Sequence, residues 1–171
     1  MTTTAPNPLL GEDFRRAFRG YPAGVAIITA QGAAGPVGIT SSSVASISAD
    51  PAVLGFSLQA LRGSAAEIAV ASSVLVHLLT ADNVALARRF AASGNTRFGV
   101  DTARSTLGSG EPLLHDTGTV LRCTPLTRTE VGQALVVTAA VTEIHDAESL
   151  AAPLVYQNRS YHCVSAWTAL P

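Results

Sequence analysis

The stretch GITSSSVASIS (Gly38–Ser48) decides how this chain is read. Five serines and one threonine fall within eleven residues, between the apolar runs VAIITA (25–30) and AVLGFSL (52–58). The β-branched residues of both runs predict buried strands. QGAAGP (31–36) is a turn, so VAIITA and the VGIT that opens the serine stretch pair as a hairpin. Asp50-Pro51 ends the stretch, and AVLGFSL follows as a third strand. The hydroxyls admit two readings. They satisfy local backbone at a strand end, or they form a neutral cradle for a phosphate beside exposed N–H groups. Small side chains there would also let a flat ring approach the main chain.

Outward from this point the pattern continues. Residues 1–11 read as a flexible tail, since Thr, Pro and Asn offer little to pack. Phe14, Ala17 and Phe18 recur at helical spacing, with Glu12 and Asp13 where a helix start favours acids. Tyr21-Pro22-Ala23-Gly24 stops that helix. Ser64 is a candidate N-cap, with Glu67 in the capping-box position. VLVHLL (74–79) is a buried strand. Thr80 or Asp82 caps a helix over NVALARRFAASG that Gly94 ends. Residues 95–112 read as loop. VLRCTPLTRTEV (120–131) and QALVVTAAVTEIHDA (133–147) form a long antiparallel pair turning at Gly132. PLVYQNRSYHCV (153–164) is the last strand. Six or seven strands and three short helices, with no regular βαβ alternation, predict a mainly β, antiparallel barrel with helices at its rim. Residues 12–171 are expected to form one domain.

Of the 171 residues, 47% are hydrophobic and only 13% charged, against roughly 25% charged in an average soluble domain. So sparse a charge predicts that a second copy covers part of the surface. Eleven Lys+Arg offset twelve Asp+Glu, with no basic run, so nucleic-acid binding is not expected. No apolar run approaches the roughly 20 residues of a membrane span, and MTTTAPNPLL does not read as a signal peptide. Cys123 and Cys163 make no metal or redox pattern and fit a reducing cytoplasm. His77, His115, His145 and His162 are scattered, and each reads as a lone core or surface histidine; no metal site is expected. GPVGIT has neither the context nor the lysine of a phosphate loop.

The order FRRAFRGYPAGVAIITA, GITSSSVASISADP, VLGFSL, ALARRF, with PLVYQNRSY near the end, resembles the flavin reductase-like family of flavin-binding split barrels. The resemblance covers about residues 12–162. It implies a dimeric split β-barrel and the following site. Thr40, Ser41, Ser42 and Ser43 occupy the family's Thr-x-Asn-Ser positions beside the flavin ring and phosphate. Ser57, Leu58 and Gln59 lie along the flavin on the next strand end. Ser64 matches a small hydroxyl near the phosphate at a helix start. Arg89 and Phe90 match the "RF" of ALARRFA, Phe98 a later "RF", and Tyr161 an aromatic near the chain end. Read from the residues alone, both phenylalanines are core anchors. Three places depart from the family: Ser42 replaces its Asn, His77 stands where the family often has Asn, and Gly132-Gln133-Ala134 stands where many reductases carry Gly-Asp-His.

The resemblance implies NAD(P)H-dependent reduction of FMN or FAD, with NADH or NADPH as hydride donor, by a homodimer supplying reduced flavin to a partner monooxygenase. Hydride transfer is chemistry of the two cofactors. It needs no nucleophile or acid–base pair, and no catalytic residue is assigned. The alternative is a flavin carrier or electron-transfer protein without reductase activity.

Overall fold

The computed structural model describes residues 8–94, 96–146, 151–165 and 168–169. Helix α1 (Pro8–Arg19) leads into β1 (Ala23–Gly24), β2 (Ala26–Gly32) and β3 (Gly35–Ser41). β4 (Ala45–Ala49), β5 (Ala52–Gln59), α2 (Ser64–Val70) and β6 (Val74–Leu78) follow. After α3 (Val84–Ala91) come β7 (Arg104–Thr106), β8 (Pro112–Leu114), β9 (Val120–Val131) and β10 (Ala134–His145). A closing hairpin joins β11 (Leu154–Gln157) to β12 (Ser160–Cys163).

Seven strands form one sheet in the order β3-β2-β6-β9-β10-β5-β4, and every neighbouring pair is antiparallel. The two edge strands, β3 and β4, are consecutive in the chain. Laid flat, seven strands would hold their edges about 29 Å apart at about 4.8 Å per gap. From Ser41 to Ala45 the chain spans at most about 14 Å. The sheet must therefore roll until its edges meet, and they meet at the serine stretch. Curvature comes from irregular pairing in β9 and β10 at Thr138/Ala139 and Val141/Glu143. Pro125 faces Ala139 at the first of these, a place where a residue without an N–H is tolerated.

The rolled sheet encloses one apolar cluster, with Ile28, Leu54, Phe56, Leu58, Val76 and Val137 at its centre. A second cluster packs Ile27 of β2 against Ala87 and Phe90 of α3 and Leu114 of β8. β2 is thus buried on both faces, which explains its unbroken apolar run. A Cβ at Gly38 would sit 2.6 Å from the Phe90 ring, so only glycine lets α3 approach β3. Gly132 takes φ 60° in the turn between β9 and β10.

Several expectations shift. The N-terminal helix begins at Pro8 rather than after residue 11, with proline at a helix start where it is tolerated. Glu12 and Asp13 therefore lie beyond the first turn, and Asp13 pairs with Arg16 at 2.6 Å. Residues 1–7 lie outside the described residues, as does Ala147, the expected end of the second long strand. The serine stretch splits into two strands around Ser42–Val44. The expected last strand is a hairpin, turned by Asn158 and Arg159 at positive φ. Residues 95–112, expected as loop, contain a short 3-10 turn at Thr96–Phe98 and β7.

Candidate functional site

The serine stretch divides its hydroxyls between two tasks. Thr40 Oγ1 donates to Ala87 O at 2.6 Å, tying β3 to α3. Ser43 Oγ donates to Ser57 O at 3.1 Å and accepts from Ser57 N at 3.0 Å, standing in for one rung of the ladder between β4 and β5. Its single proton is thereby placed, so Ser41 Oγ donates in the 2.9 Å Ser41–Ser43 contact. Ser41 Oγ also accepts from Ser43 N at 3.2 Å. The Ser41–Ser43–Ser57 contacts hold the end of β3 against β5 where the rolled edges meet. The hydroxyls of Ser42 and Ser57 and the Gln59 amide make no hydrogen bond among the described residues, and all three line one cleft of about 400 Å³.

Arg97 forms the end of that cleft. Its Nη1 donates to Ser64 Oγ at 2.6 Å and its Nη2 to Ala92 O at 2.5 Å. Its Nε is buried with no partner among the described residues, an unusual state for a guanidinium donor. Beyond Arg97 lies a second cleft of about 470 Å³, lined by Pro36, Glu67, Phe98 and Arg104. At the other end, Thr40, Ser42 and Ala91 also border a recess of about 210 Å³ closed by Tyr156 and Tyr161. The two tyrosine rings lie 5.1 Å apart, and the Arg88 guanidinium sits 5.8 Å from the Tyr161 ring centre. Burial, reinforced by Tyr156 and opposed by Arg88, raises the Tyr161 phenol above its ordinary value.

The expected residues are thus sorted. Thr40, Ser41, Ser42, Ser43, Ser57, Gln59 and Phe90 border the first cleft, while Ser64 and Phe98 border the second and Tyr161 the recess. Strand alternation turns Leu58 into the core, fully buried, so only its main chain could meet a ligand. Arg89 lines none of these clefts and donates to Thr102 Oγ1 at 2.8 Å. Phe90 is 1% exposed and packs edge-on against Phe98 at 5.1 Å, mainly a core anchor. Ser64 does not cap α2: Gly63, at φ 54°, is the N-cap residue, and Glu67 accepts from Ala33 N at 3.1 Å. Ser64 instead anchors Arg97.

Sequence reasoning passed over Arg97, although it immediately precedes Phe98 in the second Arg-Phe pair. It also passed over Tyr156 and the wider charge pattern. Arg19, Arg88, Arg97, Arg104 and Arg159 all line this run of clefts, and among the described lining residues Glu67 is the one acid. Such a field favours ligands carrying phosphates.

His77 lies away from the clefts and is fully buried. Leu114 N donates to its Nε2 at 3.1 Å, so its Nδ1 carries the proton and donates to Ile27 O at 3.2 Å. Burial holds its pKa down at about 4. Among the described residues no cluster of His, Cys, Asp or Glu could hold a metal ion. None of the described helices is long and apolar enough to cross a membrane.

The flavin reductase like domain family matches residues 18–165. This chain belongs to that family. An NADH:FMN oxidoreductase of Rhodococcus qingshengii is 37% identical over 153 residues, covering 88% of this chain and 80% of the relative. An NADH:riboflavin 5'-phosphate oxidoreductase of Streptomyces pristinaespiralis is 30% identical over 157 residues, covering 91% and 89%. A flavin reductase domain protein from Arthrobacter sp. FB24 has the same fold, with a TM-score of 0.84 and 34% identity over 91% of this chain and 96% of its own. In this flavin reductase-like chain, Gln133-Ala134 follows Gly132 at the β9–β10 turn, where the resemblance led to an expected Asp-His. Ala134 pairs directly with Gln59, so the site's edge carries an amide there and no imidazole.

Proposed function

We propose that this chain is an NADH-dependent flavin reductase that takes FMN. The observation that carries the reading is the Nε of Arg97, buried and without a partner among the described residues, at the end of a cleft where the side chains of Ser42, Ser57 and Gln59 likewise have none among those residues. A phosphate monoester satisfies such a donor, and charge-assisted bonds of this kind contribute about 1.5–3 kcal/mol. The hydroxyls and the Gln59 amide are neutral groups suited to the polar rim of a flavin ring. The names of the Rhodococcus and Streptomyces relatives support FMN and NADH in particular.

A bound flavin would supply acceptance of the hydride given by the nicotinamide donor. The chain's own part is to bind and orient. Arg97 would fix the phosphate, Ser42, Ser57 and Gln59 the ring edge. Arg88 and Arg159, beside Tyr156 and Tyr161, would attract the donor's phosphates. No side chain has to gain or lose a proton. Ser42 and Gln59 are exposed, so reduced flavin would leave without disturbing the core and could serve a separate monooxygenase.

The same reading takes the chain as a homodimer. Its support is the apolar surface along α1 and just after it, where Phe14, Phe18 and Tyr21 are each more than half exposed and pack in series, tilted at 4.6 Å and edge-on at 6.0 Å. The two unbonded thiols, Cys123 and Cys163, suit a cytoplasmic setting. Purified protein mixed with FMN and NADH tests the function by loss of nicotinamide absorbance. Catalytic consumption supports it. Retained flavin with no consumption would favour a carrier instead.

A further inference from the structure

Arg97 sits on the 3-10 turn Thr96–Phe98, and so short a turn supplies few bonds of its own to hold its shape. Its main chain is held from outside. Thr102 Oγ1 donates to Arg97 O at 2.8 Å, and Arg104 Nη1 donates to Phe98 O at 3.1 Å. Thr102 is buried. Its hydroxyl has a single proton, given to the Arg97 carbonyl, and its oxygen accepts from Arg89 Nη1 at 2.8 Å. A cation that donates to a hydroxyl polarises it and strengthens that hydroxyl's own donation. Helix α3 thus holds Arg97 at both ends. Ala92 O, just past the helix, accepts from Nη2 of the guanidinium, while Arg89 braces the main chain through Thr102. Neither Arg89 nor Thr102 lines the clefts described above.

We infer that Arg89 and Thr102 are positioning residues for phosphate recognition: acting through Arg97, they set how strongly the chain prefers FMN to riboflavin, the same flavin without its phosphate. The inference rests on the flavin reading above, with the phosphate at Arg97. A charge-assisted hydrogen bond depends on the distance and alignment of its donor. Ser64 and Ala92 fix the two outer nitrogens of the guanidinium, and Thr102 fixes the main chain at its base. Nε lies between them, the nitrogen nearest the backbone, and has no partner among the described residues. Its direction therefore follows the turn. Once Arg97 O is released, the turn can shift and Nε swings off the phosphate. The flavin ring, held in that reading by Ser42, Ser57 and Gln59, keeps its contacts, so the loss falls on the phosphate alone.

Fluorescence-quenching titrations with FMN and with riboflavin test this on the full chain. Thr102→Val removes the hydroxyl and keeps the shape. Arg89→Met removes the donor and keeps an unbranched side chain. Each is expected to lower the preference for FMN over riboflavin by about threefold or more, with riboflavin affinity unchanged. Thr102→Ser retains the hydroxyl and should restore the wild-type preference. Melting curves on the same samples identify a purely structural bond, whose loss would lower Tm and leave the preference where it was. A preference changed by less than about threefold in either variant, or lost as fully in Thr102→Ser as in Thr102→Val, would overturn the inference. Wild-type protein that prefers FMN while both variants match it overturns the inference and leaves the flavin reading intact. Wild-type protein with no preference for FMN overturns both.

Discussion

Ser64 Oγ accepts from Arg97 Nη1 at 2.6 Å, a contact joining the start of α2 to the 3-10 turn that carries Arg97. It aims the guanidinium across the cleft and leaves Nε for a ligand. Ser64→Asp places a carboxylate against that cation and neutralises it. We expect FMN affinity to fall about tenfold or more with no loss of thermal stability, since a salt bridge replaces the hydrogen bond. Flavin fluorescence quenching and a melting curve on the same sample check both parts.

Ser42 and Ser43 are adjacent and should behave oppositely. Ser43→Ala removes the hydroxyl that serves both main-chain groups of Ser57. Leaving them unpaired costs about 1–3 kcal/mol, and each kcal/mol lowers Tm by about 2–4 °C at this size. Ser42→Ala breaks no bond and should leave Tm unchanged while weakening flavin binding. Melting curves and flavin titrations of the two variants separate framework hydroxyls from ligand hydroxyls.

His77 predicts a window of acid sensitivity. Its ordinary pKa of 6.5 is lowered to about 4, chiefly because burial disfavours the imidazolium. Between those values the unfolded chain binds a proton that the folded chain refuses. Stability therefore falls as pH drops from 6.5 toward 4, by about 3 kcal/mol in all. Urea unfolding across that range should show the slope in wild type and lose it in His77→Asn. Glu111 acts lower. Burial opposes its charge, but hydrogen bonds from Ser109, Ser73, its own N–H and Arg122 outweigh that and hold it at about 2. Its contribution is lost as pH falls from 4.5 to about 2.

The described residues lining the clefts include no histidine. At saturating FMN and NADH, kcat should be flat between about pH 6 and 8, where a histidine would titrate. A pH–rate profile checks this; a limb with an imidazole-like pKa would point to a group outside the described clefts.

Much of this was legible in the sequence because the strands are long and their neighbours local. β2, β5, β9 and β10 fall within two residues of the stretches that their β-branched runs mark, and Gly132 turns where expected. The serine stretch borders a cleft, and only some of its hydroxyls are left without a partner there among the described residues. Which hydroxyls turn inward depends on the rolling of the sheet, and that is set by β3 and β4 being its two edges. Arg97 was hidden because a 3-10 turn in an irregular segment shows no periodicity. Arg89 looked equivalent to it by motif, yet α3 directs that side chain to Thr102. Ser64 and Glu67 have capping-box spacing, but Gly63 at positive φ starts α2 differently and frees both side chains for the clefts.

The most direct measurement is the affinity of wild-type and Arg97→Glu protein for FMN and for riboflavin, which lacks the phosphate. If Arg97 holds the phosphate, wild type prefers FMN over riboflavin by about tenfold or more, and the Arg97→Glu variant loses that preference. Equal preference for FMN in both proteins would contradict the account.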